Sequence, residues 1–297
     1  MYSATNKIVF KNAATVILLR PAKAGDWEIF LARRHQRQAF MAGAFVFPGG
    51  QLEETDGDPQ LEKYIMTAEA FDPCRLLQDN SLPKEKALKF FVAAIRETFE
   101  EAGIFLGGKT TGNFVSFYDG DVLKRFNNYR RELNASQITL AEIARKEKIC
   151  FFPDTLIPYA HWITPEFEKM RFSTRFFLAY LPEGQIPVSD KSELTESLWV
   201  TPQKALEMHR QRKILLMPPT LKTIEELAEF TSVEELFTAA KKKIIYPILP
   251  QLAGDILKLP HDPEYSIYAY KRPARPDEPS RILAENGVWK TAFYNNK

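Results

Sequence analysis

Three glutamates crowd the end of one helix-forming stretch, and that crowding constrains the chain more than any other feature. Phe91, Ile95, Phe99 and Ala102 recur at spacings of four, four and three, which predicts a helix over Lys84–Ala102 with a single apolar stripe. Gly103 supplies the expected stop. Within Arg96-Glu97-Thr98-Phe99-Glu100-Glu101-Ala102-Gly103-Ile104, Glu97 shares a helix face with both Glu100 and Glu101. A helix C-terminus carries partial negative charge, so an anion there costs on the order of 0.3–1 kcal/mol. Like charges at these spacings add roughly 0.2–0.5 kcal/mol per pair. Arg96 can reach Glu100 one turn on, but arginine ahead of glutamate is the weaker orientation. A divalent cation resolves the conflict. Mg²⁺ prefers oxygen ligands and is usually held by one or a few carboxylates with water and substrate phosphates. The competing reading is a solvated acidic helix end.

A second segment decides between the two. Phe47-Pro48-Gly49-Gly50-Gln51-Leu52-Glu53 reads as a strand running into a tight turn. There the missing Cβ lets backbone approach a ligand or metal closely. The two segments together resemble the halves of the Nudix box, Gly-x5-Glu-x7-Arg-Glu-U-x-Glu-Glu-x-Gly-U, where U is aliphatic. Gly50 matches the first glycine; Arg96, Glu97, Glu100, Glu101, Gly103 and Ile104 match the second half. Two positions and one spacing depart from the pattern. Thr98 stands where an aliphatic residue is usual, and Asp56 where the pattern has Glu. Between Asp56 and Arg96 lie 39 residues where the pattern has seven. Such an insertion is physically tolerable, because lengthening a loop costs little entropy per doubling. The split box is similar to that of the nudix type 19 branch, the coenzyme A diphosphatases. Phe40 to Gly50, Arg171 to Phe177 and Pro218-Pro219-Thr220-Leu221 resemble that branch too.

The resemblance implies an α+β fold: a Nudix-type α/β/α sandwich with a mixed β-sheet, an insertion within the box and a C-terminal extension. The expected Nudix domain spans 1–246, with the insertion at about 54–88 and helical segments at about 121–148 and 202–243. A proline-rich extension follows over 247–297. It further implies that Glu97, Glu100 and Glu101 ligate Mg²⁺ or Mn²⁺, with Glu53 and the Gly50 carbonyl nearby. Family members differ in which box glutamate is the general base. Arg96 would orient a glutamate, and Glu193 or Glu196 would supply a further acid from a later loop. Basic groups must meet the diphosphate, and arginine suits bidentate phosphate contacts. The candidates are Arg33 and Arg34 at the end of the second strand, and Arg171 and Arg175 around an aromatic cluster. Phe172 could stack on a base. Each of these also fits an ordinary ion-paired surface or core residue.

Pattern reading places strands at Ala13–Leu19, Trp27–Arg33 and Ala44–Phe47, the first two forming a hairpin. Strands return at Leu156–Ile163, Arg175–Leu181 and Leu198–Val200. Thr201-Pro202 opens a helix as cap and first turn, and Thr220–Phe230 and Val233–Lys243 are helix candidates. In the tail, Tyr265–Tyr270 and Val288–Tyr294 read as short strands.

Composition excludes several classes. Hydrophobic residues make up 45%, enough for a real core, which excludes disorder. Net charge is +2, from 40 basic and 38 acidic residues, so no global basic footprint marks a nucleic-acid or membrane binder. No stretch approaches the ~18 apolar residues of a membrane span. Lys7, Lys11 and the apolar Ala13–Leu19 weakly imitate a signal peptide, but no small-residue cleavage pattern follows. Cys74 and Cys150 form no Cys-x-x-Cys pair and read as free thiols of a reducing compartment. A cytoplasmic enzyme follows, with room for a homodimer. The branch resemblance, and not the composition, implies its substrate: coenzyme A or acyl-coenzyme A, cleaved to adenosine 3′,5′-bisphosphate and (acyl-)4′-phosphopantetheine. The alternatives are an ADP-ribose or nucleotide-sugar diphosphatase, and a non-catalytic nucleotide sensor. The presence of all three box glutamates argues against the sensor.

Overall fold

A computed structural model describes residues 10–22, 26–36, 41–110, 112–187 and 194–294. Glu193 and Phe40 lie outside the described residues. Strand β1 (Lys11–Pro21) is central. It pairs antiparallel with β2 (Trp27–Arg34) through Leu19–Pro21, as the expected hairpin. At its other end, Ala13–Thr15 pairs with β4 (Gly49–Gln51), while β3 (Phe45–Val46) lies along β2. On its far side β1 runs parallel to β9 (Phe172–Tyr180), which pairs antiparallel with β8 (Ile157–Ile163). Strand β10 (Leu194–Val200) closes the β2 edge, and β11 (Pro247–Ile248) closes the β8 edge. The result is a mixed eight-stranded sheet.

Alternation along the central strands shows why two helical layers form. Val16, Leu18, Phe30 and Phe177 face one apolar layer with Phe91, Ile95 and Phe99 of α2 (Lys84–Ala102). Their neighbours Ile17, Leu19, Ile29, Leu31 and Leu178 face the other layer. That layer holds Leu221, Ile224 and Leu227 of α6 (Pro218–Leu227) and Leu236 of α7 (Val233–Ala240). Period-two strands buried on both faces demand cover on both faces, which gives the α/β/α sandwich. Helix α5 (Pro202–Arg210) begins as expected, with the Thr201 hydroxyl accepting from the Lys204 N–H.

Several elements differ from the sequence reading. The predicted helical stretch 121–148 is two helices, α3 (Gly120–Asn134) and α4 (Leu140–Glu147). Thr139 and Glu142 form a reciprocal cap that starts the second helix afresh. Tyr265–Tyr270 is not a strand: Tyr265 is buried with its hydroxyl on the Leu249 carbonyl, and residues 268–270 form a 3₁₀ turn. The insertion holds two 3₁₀ turns and the short helix α1 (Pro73–Leu77). Strands β5 (Gly107–Thr110), β6 (Asn113–Phe114) and β7 (Cys150–Phe151) make a small separate sheet that the pattern reading missed. The tail is a four-stranded antiparallel sheet of β12 (Gln251–Ala253), β13 (Ile256–Lys258), β14 (Arg281–Glu285) and β15 (Val288–Ala292). Among the described residues no helix is long and apolar enough to cross a membrane. Both cysteines are free.

Candidate active site

The glycine turn and the acidic helix end meet. Gly49 donates its N–H to Glu101 Oε2 at 2.7 Å. A Cβ on Gly50 would sit 2.4 Å from Glu97 Oε1, so a side chain here would displace that carboxylate. Strand β4 is held in place by β1, and α2 by its stripe against the sheet, so two rigid elements set the approach. Gly103 ends the helix in a left-handed turn (φ 70°), its N–H on the Phe99 carbonyl. The Thr98 departure is accommodated, because its hydroxyl donates to the Ala94 carbonyl at 2.7 Å.

Arg96 organises the acids. It is 3% exposed. Its Nε donates to Asp56 Oδ1 at 2.8 Å and its Nη2 to Asp56 Oδ2 at 3.1 Å and the Gln51 carbonyl at 2.8 Å. The remaining Nη1 donates to Glu97 Oε1 at 2.9 Å and Glu100 Oε2 at 2.6 Å. Glu53 lies 3.8 Å from Arg96, on the open side. Asp56, the shortened acid of the box, therefore bridges 39 residues of sequence to lock Arg96. The insertion leaves and returns without separating them.

Burial shapes the charges. Loss of water pushes the Glu97 carboxyl up to about 8; Arg96 opposes this and Glu100 reinforces it. Glu100 is pushed up to about 7, again first by burial and against Arg96. Burial also raises Asp56. One guanidinium thus serves more carboxylate than it can neutralise. The unfavourable helix end is relieved from behind by Arg130 of α3, whose Nε and Nη2 donate to the Glu100 and Glu101 carbonyls at 2.8 Å each. Nothing in the sequence sets that arginine apart from others on an amphipathic helix. Asp56 did carry a signal, its place six residues after Gly50.

A divalent cation fits this donor set on charge. Four acids (Glu53, Asp56, Glu97 and Glu100) pair with Arg96, and Glu101 lines the same cavity as Glu53, Glu97 and Glu100. Among the described residues they do not already form a cluster of three or more arranged to hold a metal ion. Instead Glu97 and Glu100 aim at Arg96, and Glu101 at the Gly49 N–H.

The cavity has a volume of about 870 Å³. Of the residues proposed from sequence, Gly50, Glu53, Arg96, Glu97, Glu100, Glu101, Arg34 and Phe172 line it. The Arg34 Nε is buried without an acceptor among the described residues. Three proposed phosphate contacts do not line it. Arg33, next to Arg34, faces the opposite side of β2, 3.6 Å from Glu196 beside a second hollow. Glu196 is therefore an ion-pair partner there and not an acid of this cavity. Arg175 is buried and pairs with Asp79 at 2.6 Å, a core-edge pin. Arg171 donates to the Thr164 carbonyl and lies 4.4 Å over the Phe10 ring.

The arrangement of sheet, helices and turn defines a Nudix fold. Superposition supports this: a NUDIX hydrolase from Alicyclobacillus acidocaldarius aligns with TM-score 0.60 over 80% of this chain and 98% of that one, at 20% identity. The profile of the NUDT19 Nudix domain matches residues 8–227, and the chain belongs to that family. Relatives named acyl-coenzyme A diphosphatase NUDT19 are 28% identical in Xenopus laevis (71% of this chain, 62% of the relative). The human protein of that name is 28% identical (73% and 64%), and the chicken one 26% identical (86% and 82%). The match thus spans a little under two-thirds of the frog and human relatives.

Proposed function

We propose that the chain hydrolyses the diphosphate of coenzyme A or acyl-coenzyme A, releasing adenosine 3′,5′-bisphosphate and (acyl-)4′-phosphopantetheine, with Mg²⁺ or Mn²⁺ as cofactor. The observation that carries this reading is the surplus of buried carboxylate around Arg96, opening on a cavity large enough for a nucleotide derivative. The names of the relatives support coenzyme A as the substrate class.

Glu97, Glu100 and Glu101 would hold the cation, with Glu53 and the Gly50 carbonyl beside them. Held there, such an ion would supply charge neutralisation at the diphosphate and a more acidic water. The chain supplies position and charge. Arg96 keeps Glu97 and Glu100 on the cavity side of the helix, and Asp56 and the Gln51 carbonyl keep Arg96 from turning away. Arg34 faces the cavity with donor capacity for a phosphate oxygen. Phe172 offers a ring for the base. Water adds to phosphorus, the P–O–P bond breaks, and a box glutamate takes the water's proton.

The test is a panel of coenzyme A, acyl-coenzyme A, ADP-ribose, NADH and sugar nucleotides with Mg²⁺ or Mn²⁺, read by product mass. Adenosine 3′,5′-bisphosphate from the coenzyme A substrates is expected. Faster turnover of ADP-ribose or a sugar nucleotide would replace this reading, and binding without turnover of any compound would favour a sensor. Glu100→Gln keeps the hydrogen bond to Arg96 but removes the charge. It should lower kcat by about 100-fold or more with an unchanged circular-dichroism spectrum. Full activity would remove Glu100 from the chemistry.

A further inference from the structure

We infer that the tail after Pro247 completes the cavity as an apolar subsite, and that Leu257 and Trp289 select the acyl group of the substrate. This inference rests on the coenzyme A reading above. The family domain match ends at residue 227, before the tail begins. Yet Pro250, Leu257 and Trp289 line the same cavity as Gly50 and Glu97. All three are apolar or aromatic, and the tail contributes no charged side chain to that lining. Apart from Glu168 on the β8–β9 connection, the carboxylates of the lining come from the turn and α2, so the cavity has two chemistries.

The apolar part is continuous. Leu257 is 4% exposed and belongs to the same buried layer as Trp162 and Phe176, which also line the cavity, and Trp289 packs against that layer. The tail is fixed to the sandwich at this point. The buried His209 has its Nε2 2.9 Å from the Trp289 carbonyl, with Nδ1 accepting from the Leu216 N–H at 3.2 Å. Nε2 must then carry the proton and donate to that carbonyl. Thr291 donates to Glu225 of α6 at 2.7 Å. Strand β11 adds the segment's start to the edge of the main sheet. A wall pinned at both ends holds its shape when a ligand enters, and ordering it costs little on binding. Phe167, on the β8–β9 connection, also lines the cavity and is 51% exposed, a large ring left in water. A cavity lined by carboxylates from the turn and α2 and by apolar side chains from the tail suits a diphosphate joined to an extended apolar group. Each buried methylene is worth roughly a factor of four in affinity.

The experiment compares kcat/KM for octanoyl-coenzyme A with that for free coenzyme A in the full chain, wild type against Trp289→Ala. The expected result is a fall of about tenfold in the ratio of the two, carried by KM for the octanoyl substrate. Trp289→Leu keeps an apolar side chain for the layer and should lower the ratio by a smaller step; it serves should the alanine variant not fold. Calorimetric titration of the metal-free protein with the same two compounds should show the same change in relative affinity. A ratio unchanged within twofold in folded variants overturns the subsite while leaving the diphosphatase reading intact. Wild-type protein that cleaves and binds neither compound overturns both.

Discussion

Arg96 and Arg281 are both buried, and both are ringed by acids, but the two clusters are balanced differently. Around Arg96, burial drives Glu97, Glu100 and Asp56 upward in pKa, because one guanidinium faces several carboxylates. Around Arg281, in the tail sheet, Asp262 accepts from Arg281 Nε at 2.8 Å, the Ser280 hydroxyl at 2.9 Å and the Glu264 N–H at 2.9 Å. Glu264 accepts from Arg281 and from Lys258, each at 2.8 Å. Burial opposes the charge on Asp262, but its donors outweigh it, and both acids end below their ordinary range. The ingredients are alike. Donors match acceptors in the tail, where the cluster pins strands, and acids exceed cations at the turn, where a ligand's charge is wanted.

The widest separation between the clusters comes from deleting the arginine of the deficient one. Arg96→Leu strands Asp56, Glu97 and Glu100 in a buried setting. Breaking a buried pair in this way costs about 3–5 kcal/mol, on the order of 10 °C in Tm. Turnover should be lost as well. Millimolar Mg²⁺ should restore part of the Tm, because a cation can stand in for the missing charge. A variant as stable as wild type, or one indifferent to Mg²⁺, would mean the carboxylates are not held together by charge.

The balanced cluster should give a smaller and different response. Asp262→Asn removes a charged acceptor that is fully buried, yet leaves Arg281 its bond to Glu264. Hydrogen bonds to charged groups are worth about 1.5–3 kcal/mol, so a loss near 2 kcal/mol is expected in denaturant unfolding. No divalent cation should recover it. Recovery by Mg²⁺ would show that the tail cluster also lacks positive charge, and the contrast drawn above would fail.

The two regions were also unequally legible. The acidic helix was readable because Phe91, Ile95, Phe99 and Ala102 mark one face and Gly103 marks the end, and local periodicity survives into the structure. Gly50 was readable because a tight turn against a carboxylate favours glycine. Arg33 and Arg34 were not separable, because adjacent strand residues point to opposite faces and the sequence does not say which face holds the ligand. The two readings of Arg175 were not separable for a related reason: its partner Asp79 lies in the insertion, 96 positions away. Beyond Val288–Tyr294, which β15 matches, the tail was opaque because its strands are two to five residues long, too short to show a period.

The last predicted effect concerns pH, and it follows from the direction of the shifts. Glu97 and Glu100 titrate near 8 and 7 in the folded chain, above the ordinary carboxylate value of about 4.5. Between those values the folded state binds more protons than the unfolded state. Stability of the metal-free protein should therefore be fullest below pH about 4.5, as far as these two groups are concerned, and decline as pH rises through 7 and 8. Mg²⁺ needs the ionised carboxylates, so its affinity should rise over the same interval. Thermal melts at pH 6.0 and 8.5 check both statements. Without metal, Tm should drop by a few degrees from the first to the second; with Mg²⁺ the drop should shrink or vanish. Glu97→Gln should flatten the metal-free slope, since it removes the more strongly shifted of the two groups. Asp262→Asn should leave that slope as it is, because the acids around Arg281 are shifted downward and stay ionised across the whole interval. A metal-free Tm that rises from pH 6.0 to 8.5 in wild type, and still rises in Glu97→Gln, would put the charge deficit somewhere other than the turn and α2.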